Sequence, residues 1–454
     1  SKEAMERGWE CLARFSERLS GFQAKFVRAV ATQTLREAKN RDVFLTQAEK
    51  LLGYPIEVIS GREEARLIYS GVANLLPQSE EKRLVVDIGG RSTELILGKG
   101  FKPQTMESYR VGSVKWSMKY FADGQFTPMA FEWAEVAAKA VLDEAIALYP
   151  KNCWDVAYGS SGTIGAVADV LQAAGWPEGV ISREGLDWLK EKLIKAGRGD
   201  ALRLEGVKED RKPVIGGGLA VLCALFDLMQ ISSMQAAQGA LRHGVLYDLL
   251  QREDNTDLRS TMVAALGNRF AVDLAQAERV QKTAVTLFKN ILDKDRIEPD
   301  RAIRLEKKLS WAAHLLEIGT RISHSDFHKH GAYILDNADL PGFSMSELHR
   351  LSQLILGHRG KLKKLELEVK DSDFIAQLIS LRIAAILCHA RRDPDLKGVS
   401  LKNVEDNTTG FVIQCKKSWI QQWPQSAHLL REESIAWQKT TWQLDFVEIN
   451  GKTI

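Results

Sequence analysis

The stretch LVVDIGGRSTELILG, residues 84–98, decides the fold. An apolar run ends on Asp87, passes Gly89, Gly90, Ser92 and Thr93, and resumes as an apolar strand with Glu94 at its root. Two apolar runs around a glycine pair predict a β-hairpin. The glycines let the chain turn and bring bare amides close to a ligand. Successive N–H groups at such a turn form an anion nest, to which Ser92 and Thr93 add hydroxyl donors. Asp87 and Glu94, facing each other across the turn, are placed to hold a hard cation with its waters, the usual way Mg²⁺ sits beside phosphate. A plain hairpin with a solvated Asp leaves the same trace, so this stretch alone keeps both readings open.

Upstream, FVRAVAT (26–32) reads as a strand, 35–53 as a helix, PIEVIS (55–60) as a strand and 63–76 as a helix. That alternation indicates an α/β layer architecture. Downstream, helices are expected at 128–147 and 184–196, around a strand and turn in DVAYGSSGTIGA (155–166), and a buried glycine-rich helix at 215–229. From about 257 to 392 the pattern is helical, and 399–419 and 440–449 read as strands. The chain is thus an α/β front, an all-α middle and a small α+β tail. Its second small-residue turn, Gly159, Ser160, Ser161, Gly162 and Thr163, again follows a strand and precedes a helix. Either it is a plain helix N-cap or, with the hairpin, it grips the other end of a phosphate chain.

Composition narrows the class. The 454 residues carry 62 Lys+Arg against 59 Asp+Glu, a net charge of +3, so no wholesale nucleic-acid coat is implied. The five cysteines contain no C-x-x-C pair, which argues against a zinc site or disulfide framework and for reduced thiols in a cytoplasm. The longest apolar run, 214–226, falls short of the roughly 20 residues that span a bilayer. The opening SKEAMERGWECLARF has the period of an amphipathic helix and not the form of a signal peptide. No stable membrane insertion is expected.

The segment SGREEARLIY (60–69) supplies a base. Ser60 and Glu63 satisfy a capping box, which gives Glu63 a structural task. Glu64 has no such task and lies near Arg62 and Arg66. Beside a phosphate and a metal it could orient and deprotonate a water; otherwise it is a first-turn Glu favoured by the helix dipole. Arg36, after ATQTL, could pair with phosphate oxygens or sit exposed at a helix start.

Taken together, ATQTLREA, YPIEVISGREEARLIYSGV, LVVDIGGRSTELILG, GSSGTIGA, GALRHGVLY and HKHGAYILDNADLPGF resemble the exopolyphosphatase / guanosine pentaphosphate phosphatase family across nearly the whole chain. The resemblance implies an actin-like catalytic region of two lobes, in the ribonuclease H-like, sugar kinase/heat-shock chaperone superfamily. Residues 1–67 would be the remainder of lobe I without its first strands, and 68–253 lobe II. Residues 254–398 would form a degenerate all-α His-Asp-type domain and 399–454 a small α+β domain. It also implies Mg²⁺-dependent hydrolysis of a terminal phosphoanhydride, with a monovalent cation as a further candidate. The family's catalytic base falls on Glu64, its arginine on Arg36 and its metal carboxylates on Asp87 and Glu94. A homodimer is the family's habit.

Several positions depart from the family. Its opening phosphate loop, D-x-G-S-N-S, is not found in the chain, which begins at what resembles the helix after the first strands. Arg91 stands where Gly or Ala is usual, and His243 where an acid is common. Leu316-Glu317 replaces the His-Asp pair with His314 out of register, so the second metal site is expected to be dead despite His324, His328, His330 and His358. GHRGKLKK (357–364) and HARR (389–392) gather positive charge that could line a polyphosphate channel or a solvated helix face. The leading expectation is an exopolyphosphatase, towards which SHSDFHKHGAYILDNADLPGF leans, with a guanosine pentaphosphate (pppGpp) phosphatase as the alternative. A non-catalytic polyphosphate or nucleotide sensor and a sugar-kinase-like ATPase are the readings from other classes.

Overall fold

The computed structural model describes residues 1–77, 79–251, 258–292, 297–365, 371–404 and 407–449. The expected boundary between 253 and 254 and the last five residues of the expected tail lie outside the described residues. Two compact units result: Ser1–Asp257 with Asp339–Ser344, and Leu258–Ala338 with Met345–Ile454.

The first unit opens with α1 (Lys2–Leu19), β1 (Ala29–Ala31), α2 (Gln33–Glu37), α3 (Arg41–Leu52), β2 (Ile56–Val58) and α4 (Gly61–Leu75). The single helix expected at 35–53 is two, separated by Ala38–Asn40. β1 and β2 pair in parallel as a two-stranded sheet. The expected lobe division between residues 67 and 68 falls inside α4. Next come β3 (Lys82–Ile88), β4 (Thr93–Lys99), β5 (Lys102–Tyr109), α5 (Ser113–Tyr120), α6 (Pro128–Leu142) and α7 (Ala145–Leu148). β6 (Val156–Ser160), α8 (Ser161–Ala173), β7 (Val180–Ser182), α9 (Arg183–Ala196), α10 (Ile215–Leu228), β8 (Ser233–Ala236) and α11 (Leu241–Gln251) complete the unit.

A six-stranded sheet of order β5-β4-β3-β6-β8-β7 organises it. β3, β4 and β5 form an antiparallel meander, while β6 runs parallel to β3 and β8 parallel to β6. Period-two alternation divides β3 between two cores. Leu84, Val86 and Ile88 face the larger core, where α10 is buried all round, as a helix without a polar face must be. Val85 and Ile96 face the other way, onto Ala65, Ile68, Tyr69 and Val72 of α4. Those four recur at helical spacing, so α4 lies on the sheet along one stripe. Because β3 and β6 are parallel, with Asp87 opposite Ser160, their carboxyl ends open side by side. That edge is where ligands bind in open α/β sheets.

The second unit holds α12 (Leu258–Arg269), α13 (Leu274–Ile291), α14 (Pro299–His314), α15 (Phe327–Asp336), α16 (Met345–Gly357) and α17 (Ser372–Leu387). It continues with β9 (Val399–Val404), β10 (Asn407–Lys416), α18 (Lys417–Gln422), α19 (Pro424–Trp437) and β11 (Gln443–Ile449), the strands forming a sheet of order β11-β10-β9. Arg382 of α17 is buried against Glu433 of α19, Nη2 to Oε2 at 2.8 Å, which ties the helical part to the sheet-bearing part. No helix among the described residues is long and apolar enough to cross a membrane.

Candidate active site

The site begins with Gly61. A Cβ there would lie 2.6 Å from Ser108 Cβ, so only a glycine lets the start of α4 approach β5 this closely. Ser60 caps the helix by accepting from Glu63 N at 3.2 Å. One turn in, Glu64 is buried and pairs with Arg36, Nη1 to Oε2 at 2.8 Å. Arg36 also donates to the Ile59 carbonyl at 2.9 Å and to Gln33 Oε1 at 2.8 Å. Burial raises the Glu64 carboxyl above the ordinary range, and the charge and hydrogen bond of Arg36, with a hydrogen bond from Thr32, offset part of the rise.

Glu63 and Arg66 do not play the parts expected of them. The Glu63 carboxylate does not return to close the capping box. It accepts from Arg66 Nε and Nη2 at 2.8 and 2.9 Å and from Gly342 N at 2.6 Å, with Arg28 at 3.7 Å. Arg66 therefore serves Glu63 and Asp248, not Glu64. Arg62 turns away to Glu107.

Asp87 and Glu94 are direct partners in the β3–β4 register, and both are buried. Ser108 Oγ donates to Glu94 Oε1 at 2.7 Å. Burial pushes Asp87 up to about 6, against a hydrogen bond to Ser160 and with help from the charge of Glu64. Glu94 is raised well above the carboxylate range by burial first, then by the charges of Glu64 and Asp87. Neither has an ion-pair partner among the described residues. Three buried carboxylates thus repel one another, and among the described residues Arg36 is the cation paired with them.

A divalent cation fits this donor set. Mg²⁺ is commonly held by one or two carboxylates, with waters and substrate phosphates completing its shell. Asp87 and Glu94 are the residues that would hold it, and among the described residues no group of three or more His, Cys, Asp or Glu is arranged to hold a metal.

The anion side is built from amides. At the hairpin turn Gly89 N donates to Ser92 O at 2.9 Å, while the Gly89 and Gly90 carbonyls accept from Ser113 N and Lys115 N. Among the described residues the amides of Gly90, Arg91 and Ser92 have no acceptor. Gly112 guards this turn: a Cβ there would lie 2.6 Å from Arg91 N and 2.7 Å from Gly90 C. Across the cleft edge α8 starts at Ser161 with no side-chain capping bond, and Ser161 itself has φ +86°. An uncapped N-terminus leaves its first amides for an anion.

The hydroxyls expected to help bind phosphate have other work. Thr93 Oγ1 donates to Val111 O at 2.6 Å and Ser160 Oγ to Gly239 O at 3.0 Å. Ser161 Oγ and Thr163 Oγ1 both donate to Ile88 O, at 2.8 and 3.0 Å, binding the two loops together. Ser92 offers its hydroxyl to Glu94. Gly159 lies inside β6, its carbonyl accepting from Ala237 N at 2.8 Å. The donors left at the cleft are backbone N–H groups of Gly90, Arg91, Ser92, Ser161, Gly162 and Thr163. Sequence reading missed Gln33 and Glu37, although their spacing around Arg36 on a helix start signals one face: Gln33 Nε2 donates to Glu37 Oε1 at 2.8 Å.

In the second unit Glu317 pairs with Arg391 at 2.9 Å. His314 Nε2 is buried without a hydrogen-bond partner among the described residues. His358 Nδ1 donates to the Ile355 carbonyl at 2.6 Å, and burial takes its ring down to about 3. Arg359 lies 4.9 Å from the Phe327 ring centroid, as part of the basic segment 357–364.

Unmatched acids beside unmatched amides, at the carboxyl ends of parallel strands, would fit a phosphate chain with a counter-cation, and a buried glutamate within the same cleft suits water as acceptor. This is the constellation of a phosphoanhydride hydrolase. The chain belongs to the Ppx/GppA phosphatase family: the family model matches residues 1–253 and that of Ppx/GppA phosphatase domain III matches residues 258–434. It is 39% identical over 447 residues to a protein of Pseudoalteromonas translucida (strain TAC 125), covering 98% of this chain and 88% of that one. It is 38% identical over 457 residues to one of Aeromonas hydrophila, covering 99% and 90%. Both are named guanosine-5'-triphosphate,3'-diphosphate pyrophosphatase. Among solved structures, an exopolyphosphatase-like protein is similar at 25% identity and a TM-score of 0.50, over 56% of this chain and 86% of that one. The actin-like architecture expected for the front of the chain accords with that likeness.

Proposed function

We propose that this protein removes the terminal 5'-phosphate of guanosine pentaphosphate, leaving guanosine tetraphosphate and orthophosphate. The shared name of its two relatives supports this over the polyphosphate reading that the sequence put first. Release of terminal phosphate from inorganic polyphosphate is the second reading, supported by the exopolyphosphatase-like neighbour, the motifs being common to both activities. The observation that carries the proposal is Glu64 buried beside the Asp87–Glu94 pair, with bare amides on two loops.

Glu64 takes a proton from water as that water attacks the terminal phosphorus, and the bond from phosphorus to the bridging oxygen breaks. Its raised pKa makes it a stronger base than an exposed glutamate while Arg36 keeps it ionised and oriented. Amides of Gly90, Arg91 and Ser92 and the start of α8 hold phosphate oxygens as charge develops. Asp87 and Glu94 would hold a Mg²⁺ ion, which would supply charge neutralisation for the phosphoanhydride. A monovalent cation, a homodimer and a cytoplasmic setting belong to this reading through the family resemblance alone.

The test is Mg²⁺-dependent phosphate release from pppGpp and from long-chain polyphosphate, side by side, for the protein and its Glu64→Gln variant. The expected result is preferential turnover of pppGpp, with a loss on the order of 10²–10⁴-fold in the variant. Turnover that prefers polyphosphate would move the function to the second reading, and full activity in the variant would remove Glu64 from the mechanism.

A further inference from the structure

The turn at 89–92 carries charge that this chemistry does not use. Arg91 stands in the turn itself, and Arg110 follows the last residue of β5 beside it. Their side chains are 47% and 75% exposed, at the rim and not on the buried floor with Glu64. Both reach one carboxylate, Glu37: Arg91 Nη2 to Oε2 is 3.2 Å and Arg110 Nε to Oε1 is 3.5 Å. Lys115 adds a third cation, its Nζ donating to the Arg110 carbonyl at 3.1 Å. Two positive charges therefore share one carboxylate, with a third cation on the backbone beside them. Although burial acts to raise Glu37, the hydrogen bond from Arg91 and the charges of both arginines outweigh it and hold this carboxyl below its ordinary range.

We propose that Arg91 and Arg110 form a second phosphate subsite, which takes a phosphate group of the substrate remote from the one attacked by displacing Glu37. The inference rests on the phosphoanhydride-hydrolase reading above. Exposed arginine–carboxylate pairs are worth little, whereas a phosphate group offers more charge and bidentate acceptors to a guanidinium, so the exchange favours the substrate. Glu37 does not drift when displaced. Gln33 holds it, and Gln33 is itself bonded to Arg36, which holds Glu64. Occupancy of the rim thus bears on the residue that orients the base. The remote phosphates have two sources: the 3'-diphosphate of a nucleotide, or later members of a linear chain.

The test compares KM and kcat for pppGpp against GTP, and for long-chain polyphosphate against tripolyphosphate, in the protein and the Arg91→Gln/Arg110→Ala double variant. Calorimetric binding of guanosine tetraphosphate against GDP is measured alongside, and thermal melts check folding. Two charged hydrogen-bonding groups predict that KM for the substrate bearing remote phosphates rises roughly tenfold relative to its shorter partner, with kcat changing less. A rise confined to the nucleotide arm identifies the 3'-diphosphate, and one confined to the polyphosphate arm identifies the linear chain. KM values that move together for long and short substrates, or do not move, overturn the subsite. A protein that turns over none of the four sinks the reading above. The binding arm then decides: tetraphosphate retained over GDP, and lost in the double variant, upholds the subsite, while equal binding overturns it.

Discussion

Replacing Asp87 by Asn is expected to stabilise the metal-free protein while abolishing its response to Mg²⁺. Asp87 is buried opposite Glu94 with no ion-pair partner among the described residues. Its carboxyl, ordinarily at 3.8, is pushed up to about 6. At about 1.4 kcal/mol per pK this corresponds to a folded-state cost on the order of 3 kcal/mol once the group is ionised. The sign follows from linkage. A carboxyl raised in the folded state binds its proton there more tightly than in the unfolded chain, so the cost is absent below about pH 4 and complete above about pH 6. Metal-free wild type should therefore lose stability between these values, and the Asn variant should lose less. At pH 7.5 the variant gains the removed cost minus whatever its amide leaves unpaired, a net of about 1–2 kcal/mol, which corresponds to several degrees in Tm for a unit of this size. The assay is thermal or urea unfolding, in chelator and in Mg²⁺, across pH 4–8. Wild type should gain stability on adding Mg²⁺, and the variant should not. A variant less stable than wild type in chelator at pH 7.5, or one still stabilised by Mg²⁺, would refute the argument that the two acids await a cation.

Glu63→Ala should destabilise the first unit by about 3–5 kcal/mol, because Arg66 loses two of its charged hydrogen bonds and keeps Asp248, which it shares with Arg28, while Arg28 keeps Glu57 as well; urea denaturation reads the loss. Gly112→Ala should keep the fold yet cut phosphate release by roughly 10²-fold, since its Cβ would strike Arg91 N and Gly90 C and move amides that must sit within about an ångström of place; a circular-dichroism melt alongside the phosphate assay separates the two effects. Arg382→Met should cost the second unit about 3–5 kcal/mol by stranding Glu433, and Glu433→Gln in the Met background should recover part of it.

Strands and helices of the catalytic front were legible because burial leaves a period. Leu84, Val86 and Ile88 alternate with Val85 onto two different cores, and α4 shows its stripe from Ala65 to Val72. The paired acids were legible for the same reason: a hairpin turn of known length puts Asp87 opposite Glu94. What escaped was whatever depends on partners distant in the chain. Asp248 reaches Arg66 across 182 residues and Gly342 reaches Glu63 across 279, and no local pattern announces them. Hydroxyl groups were misjudged on the same account. Ser161 and Thr163 look like phosphate donors when only their loop is in view, yet the carbonyl of Ile88 on the neighbouring strand claims both. The break between α2 and α3 was hidden because Ala38–Asn40 carries no glycine or proline to interrupt the helical period, although Ala38 is extended.

Glu63 and Glu64 show why neighbouring identical residues need opposite surroundings. Each is buried on the first turn of α4, one step of the helix apart. That step turns Glu63 towards Arg28, Arg66 and a backbone amide, where its charge is fully met. It turns Glu64 towards a single arginine and two further acids, where its charge is undercompensated. A carboxylate as closely engaged as Glu63 is held by its partners and not presented to a water, whereas one left like Glu64 costs stability in the resting protein. The cluster around Glu63 anchors the start of α4 on which that unfavourable group must stand. Weakening the cluster should therefore degrade catalysis through the placement of Glu64 before it unfolds the unit, and Glu63→Gln is expected to lower kcat for phosphate release at temperatures where its circular dichroism is still native. A Glu63→Gln protein with wild-type kcat at those temperatures would separate the two carboxylates and leave the cluster a purely structural device.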